Sequence, residues 1–181
     1  MQVIAGALKG RLLKTPKGQN TRPTIGKVKK AVFDICRTHL HGCHFLDLFA
    51  GSGQMGIEAL SRSGAFACFV ERDKLALNCL YQNLDTLGIT EHSQVMPFSV
   101  ERAIPKLIQQ DLCFDLIYLD PPYGSLVTKK ALKLLDKSPL YHPESRIFLE
   151  ENSGFTPIDL EYLQFKQTRN YGETSLFELG V

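Results

Sequence analysis

The sequence predicts an α/β fold on a mainly parallel, seven-stranded sheet that ends in an antiparallel hairpin. Strand-like and helix-like runs alternate from His44 to Glu150, the strand-like runs are almost wholly apolar, and two further strand candidates flank the turn RNYGE near the end of the chain. Alternation calls for crossover connections that place helices on both faces of the sheet. Apolar strands suit a sheet covered on both sides, and a short turn joins only antiparallel neighbours.

Each element has its own local signal. Val3 to Ala5 and Arg11 to Leu13 are short strand candidates set apart by Gly6 and Gly10, and the loop TPKGQNTRPT follows. Thr24 is placed to cap a helix from Ile25 to Leu40, with Val28, Val32, Ile35 and Cys36 at helical spacing and lysines between them, which predicts a basic outer face. Strands are then predicted at Phe45 to Phe49, Phe66 to Val70, Gln94 to Pro97, Phe114 to Leu119 and Arg146 to Glu150. The intervening helices are Gln54 to Arg62, Lys74 to Leu87 before Gly88, Val100 to Gln109, and one that includes Lys129 to Leu135. Leu160 to Thr168 and Thr174 to Leu179 complete the seven strands.

Composition narrows the classes of function. A chain of 181 residues can bury a core without metal or disulfide support. Five cysteines without a CxxC pair predict neither a disulfide framework nor a zinc site. His39 and His41, two apart and without an acid at helical spacing, fit a helix end better than a metal site. No apolar run approaches the ~18 residues of a membrane helix, so a soluble, cytoplasmic protein is expected. Charge is uneven: residues 1 to 37 carry nine Lys or Arg against Asp34 alone, while the remainder carries twelve basic and eighteen acidic side chains. A basic end on an acidic body suits a polyanion such as a nucleic-acid backbone, and equally a solvated basic tail.

Two strand-end loops carry the chemistry. DLFAGSGQMG, Asp47 to Gly56, places Gly51, Gly53 and Gly56 between a strand and a helix, and the next strand ends in Glu71, 20 residues past Gly51. That spacing lets a carboxylate accept both ribose hydroxyls of an adenosine-type ligand. A pyrophosphate would meet Asp47 unfavourably, whereas the ammonium and sulfonium of S-adenosylmethionine would be attracted to it. The second loop is DPPY, Asp120 to Tyr123. Its prolines stiffen the turn, so that the Asp120 carboxylate and the Pro121 carbonyl present two acceptors to one spot beside the Tyr123 ring. Two acceptors and an aromatic wall suit a planar base with an exocyclic amine, stacking on the ring being worth about 1–3 kcal/mol. The chemistry predicted is methyl transfer to nitrogen. Glu150 and Glu151 are adjacent on one strand, point to opposite faces and make no acid/base dyad.

DLFAGSG, VERD and YLDPPY together resemble the amino-methylating class of S-adenosylmethionine-dependent methyltransferases. IAGALKGRLL (Ile4 to Leu13), TRPT (Thr21 to Thr24) and KVKKAVFDI (Lys27 to Ile35) are similar to the N-terminal region of the RsmD family, bacterial 16S rRNA guanine-N2 methyltransferases. The resemblance covers nearly the whole chain. It implies a Rossmann-like class I methyltransferase fold, with a basic N-terminal extension over residues 1–41 for RNA contact and the methyltransferase domain over 42–181. Asp47, Gly51 and Gly53 would line the methionine side of S-adenosyl-L-methionine, Glu71 its ribose and residues around Ser99 its adenine, with Phe49, Ser52, Arg72 and Val100 also in the cofactor site. Asp120, Pro121, Pro122 and Tyr123 would hold the target guanine as the catalytic group. Arg11, Arg22, Thr24 and Lys27 would contact 16S rRNA, in the small ribosomal subunit or an assembly intermediate, with the enzyme acting as a monomer. Ser99 stands where the family usually has Asn or Asp, and Gly26, Lys27, Lys29 and Lys30 stand where it has an acid, arginines and a glutamate. Other readings of the same motifs are adenine-N6 methylation of DNA or RNA, a non-catalytic RNA-binding assembly factor, and, more remotely, a nicotinamide-dependent oxidoreductase.

Overall fold

The computed structural model describes residues 1–16, 23–122 and 126–181, with the side chains of 23–25 outside that description. The helices are α1 (Pro23–Ile35), α2 (Gln54–Ser61), α3 (Lys74–Leu87), α4 (Val100–Gln109) and α5 (Leu126–Asp136). The strands are β1 (His44–Asp47), β2 (Phe66–Val70), β3 (Ser93–Met96), β4 (Leu116–Leu119), β5 (Arg146–Asn152), β6 (Gln164–Tyr171) and β7 (Thr174–Gly180). They form one sheet in the order β3-β2-β1-β4-β5-β7-β6. Pairing is parallel from β3 through β5 and antiparallel for β5–β7 and β6–β7.

Period-two alternation divides the core into two layers. Phe45, Phe69, Tyr118 and Phe148 face the layer that holds Val28, Val32 and Phe33 of α1, Ile57 of α2 and Leu80 and Leu84 of α3. Leu46, Cys68, Ile117, Ile147 and Leu149 face the other, with Ala103, Ile104 and Leu107 of α4 and Leu132 and Leu135 of α5. Helix α3 has the boundaries read from the sequence because its caps are local: the Asp73 side chain accepts the Ala76 amide at 2.8 Å, and Gly88 closes the helix with φ +67°.

Where the structure departs from the sequence reading, tertiary contacts are responsible. Helix α1 begins at Pro23, so Thr24 is its second residue and not its cap; proline's fixed φ suits a first helical turn. It stops at Ile35, whose carbonyl takes a hydrogen bond from Arg146 Nη1 at 3.1 Å, and only a 3₁₀ turn, Arg37–His39, continues toward Leu40. The two N-terminal strand candidates reduce to one antiparallel bridge, Gln2 with Leu12. Strand β4 starts at Leu116, since the Phe114 amide is donated to Leu140 O instead of a neighbouring strand. Strand β6 starts at Gln164: the buried Asp136 carboxylate accepts the amides of Glu161, Tyr162 and Leu163 at 2.8–2.9 Å and draws that stretch off the sheet.

The basic outer face predicted for α1 also changes. Lys27 and Lys30 are exposed, but Lys29 is 1 % exposed and its ammonium lies 2.8 Å from Glu58 Oε2 on α2, without the alignment of a formed hydrogen bond. Glu58 also receives Arg62 Nε at 2.7 Å and the backbone amides of Ile4 and Ala5 at 2.8 and 2.9 Å. Burial alone would raise this carboxyl; the Ile4 amide, Lys29 and Arg62 outweigh it and hold it below its ordinary value. One acid of α2 thus joins the N-terminal segment and α1 to its own helix. Glu58→Ala strands the buried Lys29, whose proton burial already loosens, without its carboxylate, and should lower the unfolding free energy in urea by about 3–5 kcal/mol. Adding Lys29→Met should recover part of that loss.

Candidate functional site

Parallel pairing brings both chemical loops to one rim. Asp47 is in register with Phe69 of β2 and with Tyr118 of β4, and Leu48 N donates to Tyr118 O at 3.0 Å as the chain leaves β1. The glycine loop therefore starts beside the point where Asp120 follows Leu119. Ala50 N donates to Val70 O at 2.9 Å and Glu71 N to Met96 O at 3.2 Å, so the acid after β2 and the turn after β3 stand next along the same edge. Ser99, the N-cap residue of α4, and the buried Val100 lie just beyond β3.

The loop is set by two glycines with positive φ, Gly51 at +54° and Gly53 at +88°. They differ in surroundings. A Cβ on Gly53 would stand 2.4 Å from Leu80 Cδ1, whereas a Cβ on Gly51 would meet nothing within 4 Å. Gly53 serves packing, and Gly51 opens a face of bare backbone to the rim. Glu71 is already fastened to that face: Oε2 accepts Gly51 N at 2.8 Å, and Oε1 accepts Arg72 N and Asp73 N, both at 2.7 Å. A carboxylate offers about four acceptor positions, so one remains, short of the two that both ribose hydroxyls would need. Phe49 packs on the α4/α5 layer, Ser52 is buried and Arg72 is exposed.

Carboxylates crowd the other half of the rim. Asp47 is 2 % exposed and its Oδ1 has no hydrogen-bond partner among the described residues. Burial, with a contribution from the nearby Glu71 charge, raises its carboxyl to about 7 against the pull of the Phe49 and Gly56 amides. Asp120 keeps part of its surface open to the rim, yet burial, then Glu150, Asp47 and Glu151, push its carboxyl well above the ordinary carboxylate range. Strand register explains the company. Asp47, Tyr118 and Phe148 are aligned across β1, β4 and β5, and Asp120 and Glu150 lie two residues further along the same face. There Tyr118 Oη donates to Glu150 Oε2 at 2.5 Å. Glu151 faces the opposite layer and accepts Thr128 Oγ1 at 2.9 Å, so the two glutamates form no dyad.

Reading the sequence alone missed Glu150 as a neighbour of Asp120. The signal lay in the alignment of RIFLE with LIYLD, which the β4–β5 register makes explicit. Pro121 is buried and Pro122 exposed, while Tyr123 and Arg22 lie outside the described residues. Thr24 is in the first turn of α1 and Lys27 is exposed on it. Arg11 is exposed at the N-terminal hairpin, where its Nη2 donates to Thr86 O at 3.1 Å. Among the described residues no three His, Cys, Asp or Glu side chains are grouped to hold a metal ion.

The strand order, the glycine turn with its acid and the rigid aspartate turn define the class I methyltransferase architecture. Residues 1–179 match the family model described as "Conserved hypothetical protein 95". The chain is 41 % identical to YlbH of Bacillus subtilis (strain 168) over 177 residues, 97 % of this chain and 96 % of that one. It is 32 % identical to ribosomal RNA small subunit methyltransferase D of Haemophilus influenzae over 171 residues, 93 % of this chain and 89 % of that protein. The solved structure of yhhF from Escherichia coli superposes with a TM-score of 0.85 at 26 % identity, covering 99 % of this chain and 97 % of that one. The chain belongs to the RsmD family of ribosomal RNA methyltransferases.

The two glycines separate in their expected responses. Gly53→Ala forces both strain and a side-chain clash and should cost roughly 1–3 kcal/mol in thermal or urea unfolding. Gly51→Ala should cost about 1–2 kcal/mol, with no clash inside the protein. Its Cβ instead projects into the open face, so ligand binding there, read by calorimetry, should fall well beyond what the stability loss accounts for.

Proposed function

We propose that this chain transfers a methyl group from S-adenosylmethionine to the exocyclic N2 of one guanine in 16S rRNA, within the small ribosomal subunit or an assembly intermediate. The observation that carries the reading is the linear array along the rim. Ser99 follows β3, Glu71 follows β2, the Gly51–Gly53 turn follows β1, and Asp120 follows β4, on four strands adjacent in the sheet. An elongated ligand with adenine near Ser99 and Val100, ribose at Glu71 and its amino-acid end at Asp47 would point its reactive centre toward Asp120.

The residues fit that ligand. The unpartnered, buried Asp47 Oδ1 calls for a cationic donor, and an α-ammonium group is one. The open face of Gly51 admits close approach of a ligand to backbone. S-adenosylmethionine supplies an electrophilic methyl group on a sulfonium centre. The chain's own contribution is placement: Asp120 and the Pro121 carbonyl accept the two amino hydrogens and turn the nitrogen lone pair toward the methyl group. Once the new N–C bond forms, the nitrogen must lose a proton. Asp120, entering the step as the carboxylate, would accept it, burial and the neighbouring Glu150 and Asp47 having raised its proton affinity. The exposed Lys9, Arg11, Lys14, Lys27 and Lys30 would hold phosphates, and a guanine in a loop would unstack most cheaply into the rim.

Three outcomes are expected. Small subunits lacking the modification, incubated with methyl-labelled donor and digested, should yield labelled N2-methylguanosine; labelled N6-methyladenosine would move the substrate to adenine, and no label would leave a binding role. Asp120→Ala should lower turnover by about a hundredfold to a thousandfold or more, with S-adenosylhomocysteine affinity kept within a few fold; parallel loss of binding would make the carboxylate structural. Because Asp47 titrates near 7 without a cation beside it, ligand binding below that pH must expel its proton. Affinity for S-adenosylhomocysteine should therefore rise by up to about tenfold per pH unit from 5 to 7 and level off above. Asp47→Asn should bind weakly and show no such slope.

A further inference from the structure

Asn83 lies on the inner side of α3, 3 % exposed, and commits its whole amide to main-chain atoms. Oδ1 accepts Lys14 N at 2.8 Å, and Nδ2 donates to Lys14 O and to Ser52 O, each at 3.0 Å. The first two bonds reproduce the paired donor and acceptor of a β-bridge and clamp Lys14, near the end of the N-terminal segment, to the helix. The third reaches the Ser52 carbonyl, between the two positive-φ glycines, and so holds the other end of a peptide whose N–H, that of Gly53, donates to Ala50 O at 2.8 Å. Asparagine is a poor helix former and is costly to bury. A mid-helix site that satisfies it completely, on partners from two distant segments, indicates a role beyond packing. The same N-terminal segment is held to α3 by Lys14 Nζ on Gln82 Oε1 at 2.8 Å and by Leu13, buried in the layer that holds Leu80 and Leu84.

We propose that Asn83 is a positioning residue for the methyl-donor loop, fixing the Ser52 peptide, and that through it the basic N-terminal segment and the donor loop act as one binding unit. This rests on reading the glycine loop as the donor site. No Asn83 atom faces a reacting group; it acts through the orientation of Ser52 and, by the same amide, through the position of Lys14. Ordering either partner fixes the side chain the other uses, and such coupling is reciprocal between the two sites.

The test uses the full chain with S-adenosylhomocysteine. Asn83→Ala removes all three bonds, and Asn83→Asp keeps the shape but places an acceptor against two carbonyl oxygens. Both should raise the dissociation constant tenfold or more by calorimetry at a temperature well below unfolding. In turnover, KM for the donor should rise similarly while kcat at saturating donor stays within about threefold. Gln82→Ala, which cuts only the exposed contact to Lys14, should leave both constants within twofold. A variant that loses thermal stability yet keeps native donor affinity overturns the proposal. Hydrogen exchange on the unmutated protein gives an answer that needs no variant to fold: the ligand should slow exchange of the Lys14 amide together with that of residues 51–53. Protection confined to the glycine loop overturns the proposal, while failure of the unmutated protein to bind S-adenosylhomocysteine at all would fell the donor-site reading and this inference together.

Discussion

The parallel pairing of β1 with β4 is the constraint on which the molecule's chemistry depends. Strands whose paired residues, Leu46 and Ile117, are 71 positions apart in sequence become neighbours, and the strand order reverses direction between them. Connections on the two sides of that boundary leave in opposite directions, so a crevice opens above it, as in other open α/β sheets. Its two banks are the glycine turn and the aspartate turn. The bond from Leu48 N to Tyr118 O sets their mutual height, and a slip of one residue would send Asp47 and Tyr118 to the opposite layer.

Acidic groups are concentrated on one face of that crevice, and burial raises the proton affinities of Asp47, Asp120 and Tyr118. Asp47, Asp120 and Glu150 share a face with Tyr118, and four such groups could not all carry charge in a site so poorly solvated. Elsewhere in the molecule, two buried acids are matched by cations. Glu58 is met by Lys29 and Arg62, and Glu178 bridges Arg146 and Arg169 while Arg146 also reaches the end of α1. Those two groups of ion pairs fasten α1 across the sheet. The crevice differs in leaving Asp47 Oδ1 without a hydrogen-bond partner among the described residues.

How much of this could be read beforehand depended on whether the cause was local. Helix α3 has a side-chain cap at Asp73 and a glycine stop at Gly88 within its own sequence, and it was legible to the residue. The glycine turn, Glu71 and the DPP corner were legible because each is a short motif after an apolar run. The start of β6 was not, because Asp136, 28 residues upstream, holds the preceding stretch away from β7. Lys29 looked like its exposed neighbours Lys27 and Lys30, and only the arrival of α2 at that side of the helix distinguishes it. Asn83 gave no signal of its own, since its partners are main-chain atoms whose identity the sequence does not display.

The bonds from Glu71 to Gly51 and to two amides of its own turn mean that half of the crevice is assembled in the bare polypeptide. A visitor there need not recruit the acid or fold the turn around itself, so little chain entropy is lost on arrival. Occupancy should then be governed by diffusion into the crevice and by departure from it, with no slow rearrangement between the two.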